Sequence, residues 1–238
     1  MLDLGTGLRF WGETLDLSQP FVGSALVTHI HWDHVQGLPF FTPVLQPGAR
    51  FDVYGPPPEQ GSLADAFNHF VRPPFFPVTT ADLLGDIRFH DAWDEDLELD
   101  GAKVKVRSVP HVGRTNGYRI EMGGTIVTYV SDHQMPIDGS SSVADTALEL
   151  CDGADVLIHD AQYTVDEFPD KATWGHCTVD YAVHVAKEAG VRCLALFHHD
   201  PTHHDGAVDS ILAHARQLAA GSGIEVVAAH EGLVISRG

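Results

Sequence analysis

The sequence predicts a mixed α/β fold, built from layers of sheet and helix. Short runs rich in β-branched residues indicate strands, and in the second half of the chain they alternate with stretches of helical periodicity. Several of these strands end directly in histidine or aspartate, at the position where open α/β sheets place their ligands. Strands are predicted over 25–28, 51–54, 104–109, 118–122, 125–130, 156–158, 193–197 and 224–227.

The predicted helices and turns have recognisable boundary residues. Two helices begin at residues that favour the capping position, Thr178 and Asp205. The pair Gly123-Gly124 separates two strand patterns by two residues and therefore predicts a β-hairpin. Since no linker or repeat divides the chain, we expect residues 1–238 to form one domain. Helices are predicted over 142–151, 178–189 and 205–219.

The charge balance limits the classes of partner. The 238 residues include 33 Asp and Glu against 14 Lys and Arg, which gives a formal net charge of −19. Polymeric nucleic acid is an unfavourable substrate, because binding a polyanion depends on clustered cations, and a small-molecule substrate fits better. No apolar run approaches the roughly 18 residues that cross a bilayer, so no membrane contact is expected. Cys151, Cys177 and Cys193 form no close pair and indicate reduced thiols and a cytoplasmic protein.

Histidine is the most informative residue type in the composition. The chain has 16 histidines, and between Thr28 and His34 three imidazoles and one carboxylate occur within six residues. In an extended segment His29 and His31 point to the same side, and a following helix would turn Asp33 and His34 toward a second position. Imidazole and carboxylate are ligands for zinc, and also for iron or manganese. A solvated polar loop is the alternative, but so many ligand-type residues at a strand end serve no packing purpose.

The string His29-Ile30-His31-Trp32-Asp33-His34 resembles the His-x-His-x-Asp-His motif of the metallo-β-lactamase superfamily. Further similar motifs follow in the order of that family and extend the resemblance over nearly the whole chain. Pro110-His111 before Gly117-Tyr118 is similar to the ribonuclease Z and cyclic-phosphodiesterase branch. The other similar motifs are Leu2-Asp3-Leu4-Gly5, Tyr129-Val130-Ser131-Asp132 and Leu196-Phe197-His198.

The resemblance implies a site for two divalent metal ions, expected to be Zn²⁺, with Mn²⁺ or Fe as alternatives. Asp3 and Asp160 are expected to support ligand residues through hydrogen bonds. Either of the adjacent His198 and His199 could be the last ligand, and the family's strand ends at its ligand, which favours His198. One ion is expected to bind His29, His31 and His111, the other Asp33, His34 and His198, with Asp132 bridging the two.

Two residues are expected to take part in catalysis. His176 lies immediately before a predicted helix, whose amino end favours an anion. The resemblance implies that His176 lies beside the substrate phosphate and protonates the leaving group. A histidine that happens to lie in a capping loop is the alternative interpretation. For Asp33 the resemblance implies a second role, orienting the nucleophilic water.

The fold that the resemblance implies is a four-layer αβ/βα sandwich, with two mixed sheets flanked by helices. Family members usually have strands before the motif that contains Asp3, whereas this sequence begins almost on it. Either the start of the sequence is truncated, or the single domain lacks its first strands; missing strands would leave an unpaired sheet edge. We expect that edge to support a homodimer.

The function that these residues imply is a metal-dependent hydrolase, with a hydroxide between the two ions as nucleophile. The motifs around His111, Asp132 and His176 favour a small or cyclic phosphodiester as substrate. Asp132 argues against the zinc β-lactamases, which usually lack that carboxylate. Hydrolysis of a lactone, thioester or β-lactam is the alternative within enzymes. A non-catalytic metal-binding scaffold or regulatory domain is the alternative of another class.

Overall fold

Two β-sheets, one in each of two units of the chain, organise the computed structural model, which describes residues 1–236. Unit 1 is Met1–Trp93, and unit 2 begins at Asp94. Each unit has its own cluster of buried apolar side chains. That residues 1–238 act as one domain stays a prediction, and so does the homodimer.

Unit 1 has, in its described residues, a sheet of three parallel strands in the order β1-β2-β3. The connections between these strands contain helices and are long enough to cross over, which is the condition for parallel pairing. Both sheets were expected to be mixed. For the sheet of unit 1 this prediction was wrong, because its described strands are all parallel. The elements of unit 1 are α1 Gly7–Glu13, β1 Val22–Leu26, α2 Trp32–Val35, β2 Arg50–Gly55, α3 Leu63–Phe70 and β3 Asp86–Asp91, with short 3₁₀ helices at Leu38–Phe40, Thr42–Leu45 and Thr80–Asp82.

Unit 2 has a mixed sheet, as expected, with seven strands in its described part. The strand order is β10-β9-β8-β7-β6-β5-β4. Strands β4 to β7 pair antiparallel, and β7 to β10 pair parallel. The elements are β4 Asp96–Leu99, β5 Ala102–Ser108, β6 Asn116–Met122, β7 Thr125–Val130, α4 Asp145–Cys151, β8 Val156–Asp160, α5 Phe168–Lys171, α6 Val179–Glu188, β9 Cys193–Phe197, α7 Asp205–Leu218 and β10 Glu225–Ala228.

The hairpin predicted at Gly123-Gly124 is confirmed. Strands β6 and β7 pair antiparallel, and Met122 is opposite Thr125. Gly123 and Gly124 have φ values of 60° and 82°, the left-handed conformation that both central residues of a tight hairpin turn require. The turn therefore fixes the register of β7, the strand that leads to Asp132.

Two helix caps were predicted, and one of them is correct. Thr178 caps α6, and its hydroxyl accepts a hydrogen bond from the Tyr181 amide at 3.2 Å. At α7 the prediction of Asp205 was wrong by one position. His204 is the capping residue there, because its ring accepts from the Ala207 amide at 3.3 Å and Asp205 is already helical. Asp205 instead places a negative charge in the first turn, where the helix dipole favours it.

The carboxyl ends of β7, β8 and β9 bring ionisable residues to one edge of the larger sheet. These three strands are parallel neighbours, so their ends lie on the same side. Asp132 follows β7, Asp160 ends β8 and His198 follows β9. Helices α4, α6 and α7 contribute to the same buried cluster as the strands, so this edge rests on a packed core.

Two further observations concern the surroundings of the protein. None of the helices among residues 1–236 combines the length and the apolar character that a bilayer crossing needs. Cys151, Cys177 and Cys193 are all buried and form no disulfide with one another. A cytoplasmic location stays a prediction.

Candidate metal centre

In unit 1 the four predicted ligands that follow β1 form a cluster. His31 has an extended backbone and precedes α2, and Asp33 and His34 lie in that short helix. His29 Nε2 lies 2.8 Å from His31 Nδ1, and His34 Nε2 lies 3.1 Å from Asp33 Oδ2. The rings of His29 and His34 have centroids 4.2 Å apart. Imidazole and carboxylate atoms at this spacing are a donor set that suits zinc and related divalent ions.

Asp3 supports this cluster through hydrogen bonds. Its Oδ2 accepts a hydrogen bond from His34 Nδ1 at 2.8 Å, and its Oδ1 accepts from the Thr28 amide at 2.7 Å. The carboxylate is buried, so both contacts form away from solvent. Because Nδ1 of His34 is engaged, Nε2 is the nitrogen left for a metal, the usual arrangement of a carboxylate–histidine pair. This is the contact that the predicted role of Asp3 requires.

In unit 2 three imidazoles converge on the buried carboxylate of Asp132, which is 2% exposed. From Asp132 Oδ2 the distances are 3.5 Å to His198 Nε2, 3.6 Å to His176 Nδ1 and 3.9 Å to His111 Nε2. Donor atoms of His111, Asp132 and His176 lie within 4.8 Å of one another. A buried carboxylate among imidazoles fits a divalent cation, which would offset its charge. All four residues were predicted from the sequence.

His111 is oriented by the loop that precedes α6. Its Nδ1 donates to the Gly175 carbonyl at 2.6 Å, which leaves Nε2 to face Asp132. Gly175 has φ +99°, and a Cβ atom there would lie 2.3 Å from His111 Nδ1. Gln134 ties this loop to the segment after β7, since its Oε1 accepts from the Gly175 amide at 2.8 Å. A residue with a side chain at position 175 would displace the imidazole.

Asp160 supports His176. Its Oδ2 accepts from His176 Nδ1 at 2.9 Å and from the His133 amide at 3.0 Å, and its Oδ1 accepts from the Gln162 amide at 3.0 Å. The carboxylate is fully buried. The rings of His176 and His198 stack, with centroids 4.9 Å apart and planes at 17°. Asp160 therefore fixes both His176 and the backbone that follows Asp132.

His198, rather than His199, belongs to this cluster. His198 has φ 56°, a left-handed conformation that turns the chain sharply at the end of β9. Its Nδ1 donates to Gln162 Oε1 at 3.2 Å, and its Nε2 faces Asp132. His199 Nε2 instead lies 3.2 Å from the Ala229 carbonyl. The sequence analysis assigned no role to Gln162, because its contact with His198 joins residues 36 positions apart in the chain.

We expect Gln162→Leu to weaken zinc binding about 10- to 100-fold, the usual cost of removing a residue that orients a metal ligand. Leucine has a similar volume but cannot accept the hydrogen bond from His198. Competition with a chromogenic chelator measures the affinity. Gln217→Leu on the exposed face of α7 is the matched control. Equal affinities for the two variants would show that Gln162 does not position His198.

Burial keeps several nearby groups neutral. His133 Nδ1 lies 2.9 Å from His159 Nε2, and burial lowers the pKa of both rings, that of His133 well below its usual value. His159 is therefore an uncharged partner of His133. Burial raises the pKa of the Cys177 thiol well above its usual value, and the thiol lies 3.1 Å from the Asp160 carbonyl oxygen. Cys177 is therefore protonated and is not a nucleophile.

Comparisons with known proteins identify the family and the fold. Residues 14–199 match the family model of the beta-lactamase superfamily domain. Ribonuclease Z of Natronomonas pharaonis is 26% identical over 215 residues, which cover 74% of this chain and 70% of that relative. The crystal structure of the human tRNase Z short form has a TM-score of 0.70 at 21% identity, covering 99% of this chain and 86% of that one. A diphosphatase of the PhnP family has a TM-score of 0.69 at 23% identity, covering 100% and 79%.

These comparisons establish the fold and the family. The two solved structures share less than a quarter of their residues with this chain, so their likeness concerns the fold. The family model covers most of the sequence, from before the histidine cluster to His199. The chain therefore belongs to the metallo-β-lactamase superfamily of metal-binding hydrolases and resembles its ribonuclease Z branch.

Proposed function

We propose that this chain is a phosphodiesterase that hydrolyses a small or cyclic phosphodiester with two divalent metal ions, most readily Zn²⁺. The pair of His176 and Asp160 beside Asp132 carries the proposal. The buried carboxylate of Asp160 holds the His176 imidazole. The same imidazole lies beside Asp132, the residue expected to bind metal. An ester with an alkoxide leaving group needs such a proton donor. Relatives named ribonuclease Z, tRNase Z and diphosphatase support chemistry at phosphorus.

The proposed ligands are those of the family motif. When bound, the ions would supply the acidity that makes water a nucleophile at neutral pH, and positive charge beside the phosphoryl oxygens. Asp33, which is exposed, is proposed to orient that water. The proposed ligand set is His29, His31 and His111 for one ion and Asp33, His34 and His198 for the other, with Asp132 shared.

His176 is proposed to protonate the leaving oxygen. Its Nδ1 donates to Asp160, which leaves Nε2 as the nitrogen that carries a proton to the departing alkoxide. Asp160 fixes the orientation of the His176 ring through this hydrogen bond. General acid catalysis of this kind contributes about 10²- to 10⁴-fold to the rate. No covalent step is needed, and the protonated Cys177 could not supply one.

RNA is the second candidate substrate, because relatives at 26% identity and below are named for it. The charge of this chain opposes it. With 33 acidic and 14 basic side chains, few cations are available to displace the counterions of a polymer. A small diester does not need many basic side chains, because the metal ions would neutralise most of its negative charge. Lactone, thioester or β-lactam hydrolysis and a non-catalytic metal-binding role are the remaining alternatives.

We expect the protein with Zn²⁺ or Mn²⁺ to hydrolyse bis(4-nitrophenyl) phosphate and adenosine 2′,3′-cyclic phosphate. His34→Ala should lose at least about 100-fold on both, because it removes a ligand rather than one of its supports. His176→Ala should lose about 10²- to 10⁴-fold on the cyclic nucleotide, whose leaving alkoxide needs a proton. It should lose little on the nitrophenyl ester, whose leaving group needs none. Release of nitrophenol and of nucleotide measures both rates.

The control for these variants is His214→Ala, which removes an exposed imidazole paired with Asp180 on α6. Its rates should match those of the unsubstituted protein. Cleavage of precursor tRNA in preference to both small diesters would replace the proposal by the ribonuclease alternative. Turnover of lactones alone would place the substrate outside phosphodiesters. Tight metal binding without any turnover would favour a scaffold.

A further inference from the structure

A groove in unit 1 lies beside the loop that contains His29 to His34. Its volume is about 560 Å³, within the range of roughly 300–1,000 Å³ that is typical of small-molecule sites. Two of its lining residues, Ile30 and Trp32, alternate along the chain with His29, His31 and Asp33. Because consecutive Cα atoms are about 3.8 Å apart, the groove begins within one residue of the proposed ligands.

The walls of this groove are largely apolar and aromatic. Trp32 and Phe75 are 65% and 60% exposed, and Phe70 and Ile30 are also part of the apolar lining. The Trp32 indole therefore lies mostly outside the core of unit 1. An exposed apolar surface concentrated in one concave site is typical of a ligand-binding groove. Flat aromatic walls favour a flat ligand, because stacking needs parallel faces.

The polar lining favours a neutral group with N–H donors. Asp65 lines the groove, and its carboxylate accepts from the Ser62 hydroxyl at 2.7 Å and the Ser62 amide at 2.9 Å. These hydrogen bonds, first from the hydroxyl and then from the amide, lower the pKa of Asp65, so its carboxylate is negatively charged at neutral pH. His69 adds a ring nitrogen, 3.4 Å from Arg72 Nη2. Carboxylate and imidazole match the edge of an amino-bearing heterocycle.

We propose that the groove binds the base of a nucleoside phosphodiester, stacked on Trp32, while the diester lies at the metal ligands. This assignment rests on the proposed function and narrows its substrate class to nucleotides. The division of the ligand follows the charges: the neutral base enters the acidic aromatic groove, and the anionic phosphate goes to the metal-binding loop.

The first test compares two cyclic diesters that differ in the base. Adenosine 2′,3′-cyclic phosphate and methyl β-D-ribofuranoside 2,3-cyclic phosphate share the ribose and the five-membered phosphate ring, and only the first has a base. We expect kcat/KM to favour the nucleotide, and Trp32→Ala to reduce that preference about ten-fold, the effect of losing one stacking wall. Trp32→Phe should retain most of it. Phe10→Ala, which removes an exposed aromatic side chain from α1, is the control.

The second test does not depend on hydrolysis. Adenosine, which has no phosphate, is titrated into the metal-loaded protein by calorimetry or by NMR of the indole N–H signals. Binding that perturbs the Trp32 signal and is lost in Trp32→Ala supports the groove assignment. Such binding without any diester turnover would remove the phosphodiesterase proposal and leave a nucleoside site. Diester turnover with no adenosine binding and no preference for the nucleotide would overturn the groove assignment alone.

A different occupant would also be visible. If Trp32→Ala converts a dimer to a monomer in light scattering while the nucleotide preference is unchanged, the groove is an interface between copies of the chain. That result would overturn the base assignment. A monomer at every concentration, together with a reduced preference, would support it.

Discussion

Asp132→Asn is expected to abolish binding of at least one metal ion and to reduce kcat/KM by well over 100-fold. The Asp132 carboxylate is buried at the end of β7, and ring nitrogens of His111, His176 and His198 lie 3.5–3.9 Å from its Oδ2. Asparagine keeps the size of the side chain but removes the negative charge that attracts a cation. The loss should exceed the roughly 10- to 100-fold typical of residues that only orient ligands.

Asp155→Asn is the matched control for this substitution. Asp155 is also buried at a strand end of unit 2, but its carboxylate accepts from the Ile126 amide at 2.8 Å and pairs with Arg192. The control separates the loss of a metal ligand from the loss of a buried carboxylate. We expect Asp155→Asn to lower stability yet keep its metal. Elemental analysis after dialysis gives the content, and two equivalents retained by Asp132→Asn would contradict the assignment.

Gly175→Ala is expected to lower both stability and metal affinity. Gly175 has φ +99°, and an alanine Cβ would lie 2.3 Å from His111 Nδ1, so the imidazole or the loop must move. The left-handed backbone alone costs an L-residue about 1–3 kcal/mol. Displacing His111 adds the loss of its hydrogen bond to the Gly175 carbonyl. The melting temperature and zinc competition measure the two effects.

Gly221→Ala isolates the backbone contribution. Gly221 has a similar φ, +79°, but a Cβ there meets nothing within 4 Å. This control should lower the melting temperature through backbone strain and leave metal affinity unchanged. Gly175→Ala should lower both, and by more. If the two variants had the same melting temperature and the same metal affinity, the close approach of residue 175 to His111 would not affect metal binding.

Local sequence patterns predicted most of the larger sheet. The hairpin at Gly123-Gly124 and the strands Val156–Asp160 and Cys193–Phe197 have signals confined to a few adjacent residues, namely turn chemistry and apolar runs. The elements that were missed in unit 1 had weaker signals. Strand Asp86–Asp91 alternates polar and apolar residues over only six positions, and helix Leu63–Phe70 is marked only by its Ser62–Asp65 capping box. Both the alternation and the capping box were present in the sequence, but each covered only a few residues.

What the sequence determined by itself was the set of ligand-type side chains and their placement at strand ends. Side chains alternate regularly within a strand, so His29 and His31 could be paired from their spacing. That regularity ends where the strand ends. At His198 the backbone turns into the left-handed region, and only the tertiary structure places this ring, rather than that of His199, beside Asp132.

The tertiary structure also decided which residues orient the ligands. Gln162 contacts His198 across 36 positions of the chain, and Gly175 contacts His111 across 64. Such contacts depend on how strands and loops pack, and no pattern of neighbouring residues encodes them. The motif from His29 to His34 therefore identified a metal-binding chain. The hydrogen bonds that orient the other histidines of the chain depend on its tertiary structure.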